Sequence, residues 1–208
     1  MSGEAFDEQD PVKLYVPKRE RREHFATDAR APIGVFDSGV GGLTVVRELM
    51  RQIPDERMVY FGDTARLPYG AKSRDTIIRY SRQIVRFLKT KGVKAIVIAC
   101  NTASSHALKT LAEENDIPVI GVIYAGALSA VRATENGRIG VIGTRGTVSS
   151  EIYPKVIESL APGLRVFQKA CPMFVSLVEE GLLHDSVTDE TASACAPNPG
   201  WRRAICRN

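Results

Sequence analysis

The sequence predicts an α/β fold of two pseudo-symmetric, doubly wound parallel-sheet domains, the second incomplete. Short β-branched apolar runs alternate with segments of helical period, the order that a parallel sheet with crossover helices requires. Each apolar run stops abruptly in a polar or glycine-rich turn, as strands do where open α/β sheets bind ligands. The pattern also restarts: Ile139-Gly140-Val141-Ile142-Gly143-Thr144-Arg145-Gly146-Thr147 echoes Ile33-Gly34-Val35-Phe36-Asp37-Ser38-Gly39 at an offset of 106 residues.

Residues 1–31 carry many charges of both signs and few apolar residues, which predicts a flexible or loosely docked extension. Its basic cluster of Lys18, Arg19, Arg21 and Arg22 reads as a solvated arm. The first domain spans 32–135. Residues 33–36 form its first strand, followed by the turn Asp37-Ser38-Gly39-Val40-Gly41-Gly42 and a helix through Leu43, Val46, Leu49 and Met50. The turn lacks the Lys of a Walker A loop, and Thr44 stands where a dinucleotide fingerprint needs Gly. The glycines therefore serve a tight turn and close approach to a small ligand. Asp37 either caps the following helix or does chemistry; local sequence leaves both open.

A second strand at 58–62 leads into Asp63-Thr64-Ala65-Arg66-Leu67-Pro68-Tyr69-Gly70, a rigid loop that presents Tyr69 or backbone N–H groups. The next helix, from about Ser73, has a basic face of Arg79, Arg82, Arg86 and Lys89, read as solvated surface. Residues 95–99 form a buried strand, and Cys100-Asn101-Thr102-Ala103-Ser104-Ser105 follows at its carboxyl end. Helix N–H donors there favour an anion, either a ligand carboxylate or the Cys100 thiolate; the competing reading is a small buried thiol in the core. A short strand at 118–123 and a helix at about 125–134 close this half.

The second domain spans 136–192: a strand repeating the first, a helix through Ile152, Val156, Ile157 and Leu160, a strand at 164–169, and Ala170-Cys171-Pro172 before a helix ending at Glu179-Glu180. Residues 193–208 show neither helix nor strand period and read as an irregular tail.

Composition adds bounds. A hydrophobic content of 44% and a charged content of 25% are ordinary for a soluble domain, and a net charge of +4 does not by itself argue for nucleic acid. No apolar run approaches the ~20 residues of a membrane span. The N-terminus lacks a signal-peptide core, so the sequence predicts a cytoplasmic protein without membrane contact. Four widely spaced cysteines, Cys100, Cys171, Cys195 and Cys206, show no zinc pattern and read as reduced thiols.

Four motifs in order resemble the cofactor-independent glutamate racemases of the aspartate/glutamate racemase superfamily. They are residues 33–44, residues 60–70, Ala99-Cys100-Asn101-Thr102-Ala103-Ser104, and Ala170-Cys171-Pro172-Met173-Phe174-Val175 leading to Val178-Glu179-Glu180-Gly181. The resemblance implies an active site between the two halves that interconverts L- and D-glutamate, supplying D-glutamate for peptidoglycan synthesis, with neither cofactor nor metal. It implies catalytic roles for Cys100, Asp37 and Glu179, with Asp37 assisting Cys100. Asp37, Ser38, Tyr69, Gly70, Asn101 and Thr102 would hold the amino acid. Without a cofactor as electron sink, such a site must stabilise a carbanion-like transition state with placed donors in a dry cleft, between one thiolate and one thiol. A thiolate role requires a pKa below the usual ~8.5, and a helix N-terminus is one device that lowers it.

The sequence departs from the family in lacking its second cysteine motif, Gly-Cys-Thr-His; Cys195 and Cys206 lie in the irregular tail without a Thr-His partner. The expectation is a chain truncated or frameshifted near Ser193, with impaired activity and exposed apolar surface that invites homodimer formation. The resemblance adds two partners known in parts of the family: a peptidoglycan nucleotide precursor as activator, and DNA gyrase. An aspartate or related racemase, and a non-catalytic binding protein on the same fold, are the alternatives.

Overall fold

The structure, a computed structural model, describes residues 28–182 and 184–195. Strands β1 (Ile33–Asp37), β2 (Met58–Gly62), β3 (Ala95–Ile98) and β4 (Val119–Gly121) form a parallel sheet in the order β2-β1-β3-β4. Helices α1 (Leu43–Gln52), α2 (Arg74–Thr90) and α3 (Asn101–Glu114) make the crossovers, and α4 (Ile123–Ala133) leaves the sheet. A second parallel sheet pairs β5 (Arg138–Gly143) with β6 (Arg165–Ala170). It is accompanied by α5 (Arg145–Ser149), α6 (Ile152–Leu160), α7 (Met173–Glu179) and α8 (Ser186–Cys195).

Side chains of a strand alternate between the two faces of a sheet, and the first sheet uses both. Val35, Val97 and Ala99 face Val45, Val46 and Leu49 of α1. On the other side Phe36, Ile96 and Ile98, all fully buried, belong to the large core with Ile77, Ile84 and Leu88 of α2 and Leu108 and Leu111 of α3. This two-sided burial explains why β3 reads as a continuous apolar run rather than an alternating one. The same core continues through Ile123 and Ala127 of α4 to Ile139 of β5 and Val156 and Ile157 of α6, so the two halves share one apolar interior.

The repeat seen in the sequence is structural. β1 pairs with β2 from Ile33↔Met58 to Asp37↔Gly62, and β5 pairs with β6 from Arg138↔Arg165 to Gly143↔Ala170. The ladders end alike: Asp63 N donates to Asp37 O at 3.0 Å, and Cys171 N donates to Gly143 O at 2.8 Å. Cys171 is thus the counterpart of Asp63, not of Cys100. Among the described residues, no strand lies on the other edge of β5, where a counterpart of β3 would sit, and Ile142 is accordingly 53% exposed.

Three expectations change. The fourth strand is shorter than 118–123: Leu108 and Ser104 crowd Gly121, and α4 has begun by Ile123. The stretch from 193 is not irregular throughout, since Ser193 to Cys195 complete α8. That helix starts on an Asp185 cap, whose Oδ1 accepts from Thr188 N at 3.0 Å, and Lys169 Nζ donates to Ala194 O at 3.0 Å near its end. No residue of α8 is buried, so it leaves no apolar period to read. Lastly, residues 28–31 of the N-terminal segment are docked: Arg57 Nη2 donates to Arg30 O at 2.7 Å and Lys94 Nζ donates to Ala29 O. Residues 1–27 and 196–208, which hold the rest of the expected extension and tail, lie outside the described residues. On the basic face of α2, Arg82 pairs with Glu114 and Lys89 with Asp116. Among the described residues, no helix is long and apolar enough to cross a membrane.

Candidate active site

The strand order fixes where a ligand can sit. From β1 the chain crosses to β2 on one side, while β3 flanks β1 on the other, so the carboxyl ends of β1 and β3 form the switch point of the sheet. The ladder continues to the very end there, with Ala99 N donating to Phe36 O at 2.8 Å. Asp37 and Cys100 are consequently placed side by side at the floor of a cleft of about 730 Å³. The second half supplies the facing wall, from the end of β5 and from α6 and α7. Asp37, Ser38, Tyr69, Gly70, Cys100, Asn101, Thr102 and Glu179 all line this cleft, so every site residue expected from the sequence is in one place.

Their individual settings differ. Asp37 caps the glycine turn: Oδ1 accepts from Ser38 N and Oδ2 from Gly42 N, both at 2.7 Å. It holds the turn ahead of α1 and makes no hydrogen bond to the helix's own N-terminal amides, and the side chain still borders the cleft. Gly42 is required, because a Cβ there would stand 2.6 Å from Asp37 Cβ and 3.0 Å from Ala99 Cβ. Cys100 is the N-cap of α3, and its Sγ accepts from Ala103 N at 3.4 Å and lies 3.5 Å from Ser38 Oγ. Here the helix N-terminus does not win. Burial, reinforced by the Asp37 charge, pushes the Cys100 thiol up to about 11 against the pull of the Ser38 and Ala103 donors.

Glu179, the last residue of α7, reaches across to the turn after β1. Its Oε1 and Oε2 accept from Val40 N at 3.1 and 3.3 Å. A Cβ on Gly39 would stand 2.1 Å from Glu179 Oε1, so glycine makes the approach possible. From the opposite side, Tyr60 OH donates to Gly39 O at 2.6 Å. Burial, reinforced by the charges of Asp37 and Glu179, raises the pKa of that phenol.

Tyr69 does not present its hydroxyl to the cleft. The ring is buried, and its OH donates to Asp63, whose carboxylate also takes Arg66 Nε at 2.9 Å. The following Gly70 abuts the second half: an added Cβ would meet Thr144 Cβ at 2.4 Å.

Sequence reasoning missed Thr144, Thr147 and Tyr153. The Thr102 and Thr144 hydroxyls are 2.8 Å apart, with Thr147 3.1 Å from Thr144 and 3.4 Å from Thr102. This group of three hydroxyls can donate to or accept from a polar ligand. The internal repeat held the signal, since Thr144 occupies the repeat position of Ser38. Tyr153, from α6, donates to Asn101 Oδ1 at 2.7 Å. Cys171 is buried beside the cleft, and no role was expected of it. Among the described residues, no group of three His, Cys, Asp or Glu side chains is placed to hold a metal ion.

A thiol and a carboxylate at the switch point, a second carboxylate reaching in from the facing half and a ring of hydroxyls suit proton transfer on a small polar substrate. Comparison with known proteins places the chain among relatives. The chain is 57% identical over 157 residues to the glutamate racemase of Streptococcus sanguinis, a match covering 76% of this chain and 60% of that one. The chain therefore spans about 60% of the length of such curated relatives. Among solved structures, a glutamate racemase isoform of Bacillus anthracis matches with TM-score 0.78 and 43% identity, over 81% of this chain and 63% of that one. Escherichia coli glutamate racemase, in complex with L-glutamate and the activator UDP-MurNAc-ala, matches with TM-score 0.67 and 32% identity, over 79% and 64% of the two chains. A model of the Asp/Glu/Hydantoin racemases matches residues 33–197, from the first strand to beyond the last described helix, and the chain belongs to that family.

Proposed function

We propose that the cleft binds glutamate and that Cys100 moves the proton at its α-carbon, the half-reaction of a glutamate racemase, an isomerase that supplies D-glutamate for peptidoglycan synthesis. The observation that carries this reading is the Cys100–Ser38–Asp37 cluster at the switch point, where the Cys100 thiol donates toward Ser38 Oγ, accepts from Ala103 N and feels the charge of the Asp37 carboxylate. The substrate's ammonium group, a cation seated beside Cys100 and Asp37, opposes both the burial and the Asp37 charge that raise the thiol. The Ser38 hydroxyl and Ala103 amide then favour the thiolate. Closing the cleft removes water and strengthens those interactions. Glu179 ties the facing half to the turn that carries Ser38 and completes the enclosure. The glutamate and the nucleotide activator held by the Escherichia coli relative support the same substrate and an activator of that chemical class here. Residues 32–135 and 136–192 then act as two jaws.

Calorimetric titration with L-glutamate, D-glutamate and L-aspartate tests this reading. Binding of at least one glutamate enantiomer, at least tenfold tighter than aspartate and weakened by Asp37→Asn, is the expected result. Tighter binding of aspartate, or no binding of glutamate, would overturn it.

A further inference from the structure

We propose that Tyr153 is a positioning residue that fixes the orientation of the Asn101 carboxamide and so makes its place in the cleft selective for a hydrogen-bond acceptor. Asn101 opens α3 directly after Cys100 and lines the cleft. A free carboxamide can turn either its oxygen or its nitrogen toward a ligand, because the two ends are nearly equal in shape. Tyr153 biases that choice, because a phenol is a stronger hydrogen-bond donor than acceptor and an amide oxygen is the better acceptor for it. Its hydroxyl donates to Asn101 Oδ1 at 2.7 Å, so Asn101 keeps its Nδ2 donors for whatever enters. A donor in that position favours a carboxylate oxygen and leaves an amide or ammonium nitrogen unmatched.

The support for Tyr153 is built from three elements. The residue lies in the first turn of α6, in the second half, whereas Asn101 belongs to the first. Gly126 of α4 makes room for it: a Cβ there would stand 3.0 Å from the Tyr153 hydroxyl. Burial keeps the phenol in its neutral, donating form. The arrangement therefore also joins the two halves beside Cys100, at a point that the sequence repeat does not mark.

This inference rests on glutamate as the ligand, and its test separates the two. In the full chain, Tyr153→Phe should weaken glutamate binding about tenfold in calorimetric titration, while leaving the melting temperature close to that of the native protein. In an Asn101→Ala background the same change should do nothing further, since the amide that Tyr153 orients is gone. Equal binding by Tyr153→Phe, or an equal loss in both backgrounds, would overturn the proposal. A second measurement does not depend on glutamate. The side-chain amide resonances of Asn101, assigned by their disappearance in Asn101→Ala, should shift in Tyr153→Phe; unchanged resonances would overturn the proposal. Should the native chain bind no glutamate, the functional reading fails, and these resonances still decide whether Tyr153 holds Asn101.

Discussion

Replacing Gly39 by alanine probes the contact that joins the two halves over the cleft. The new Cβ would lie 2.1, 2.6 and 2.8 Å from Oε1, Cδ and Oε2 of Glu179, closer than atoms can approach. The carboxylate is the far end of a flexible side chain, so it moves and abandons Val40 N, to which it now bonds at 3.1 and 3.3 Å. A hydrogen bond to a charged acceptor contributes roughly 1.5–3 kcal/mol when well buried. Glu179 is half-buried but Val40 is exposed, so about 0.5–1 kcal/mol is the expected loss for Gly39→Ala. Urea denaturation of Gly39→Ala, Glu179→Ala and the double variant closes a cycle. In the Glu179→Ala background the three nearest obstacles are gone, and Gly39→Ala should become nearly neutral, giving a coupling of about 0.5–1 kcal/mol. An equal cost of Gly39→Ala in both backgrounds would refute the contact as the cause.

Gly70→Ala is harsher, because its Cβ would stand 2.4 Å from the Cβ of Thr144, next to the backbone, and cannot be avoided by a rotamer change. A loss of about 1–3 kcal/mol in denaturant unfolding is expected, together with weaker glutamate binding. In the core, Ile98 is fully buried on β3, and Ile98→Ala should destabilise by about 2–5 kcal/mol in the same assay. Ionisation of Cys100 gives a pH signature. Its folded pKa of about 11 lies above its ordinary value of 9.0, so the folded chain holds the proton more tightly. The associated stability is complete below pH 9 and is lost as pH rises through about 11, amounting to roughly 2–3 kcal/mol. Cys100→Ala should reduce the fall in stability between pH 9 and 11 by its own share, leaving the slope due to Cys171, which burial and the neighbouring Cys195 also raise to about 11.

The first sheet was legible because its strands are buried on both faces and so stand out as unbroken apolar runs, each closed by a polar turn. The position of Cys100 followed from the same contrast, as did the repeat that sets β5 and β6 against β1 and β2. Long-range partners were not legible. Glu179 meets Val40 across 139 residues, and Tyr153 meets Asn101 across 52, and nothing in either local pattern marks the pairing. Helix α8 escaped notice because it buries none of its residues and is held by a cap and a lysine instead. The surroundings of Cys100 were legible only in part for a related reason. The helix N-terminus is visible in sequence, whereas the depth of burial and the proximity of Asp37 are products of the fold.

The central claim is that Cys100 exchanges the α-proton of glutamate, and isotope exchange tests it most directly. Each glutamate enantiomer is incubated with the full chain in heavy water, and α-deuterium is followed by proton NMR. Deuterium entering at least one enantiomer, with incorporation abolished in Cys100→Ser while glutamate still binds, is the expected result. Incorporation that persists in Cys100→Ser, or glutamate that binds the native chain without any exchange, would contradict the assignment of Cys100 as the base.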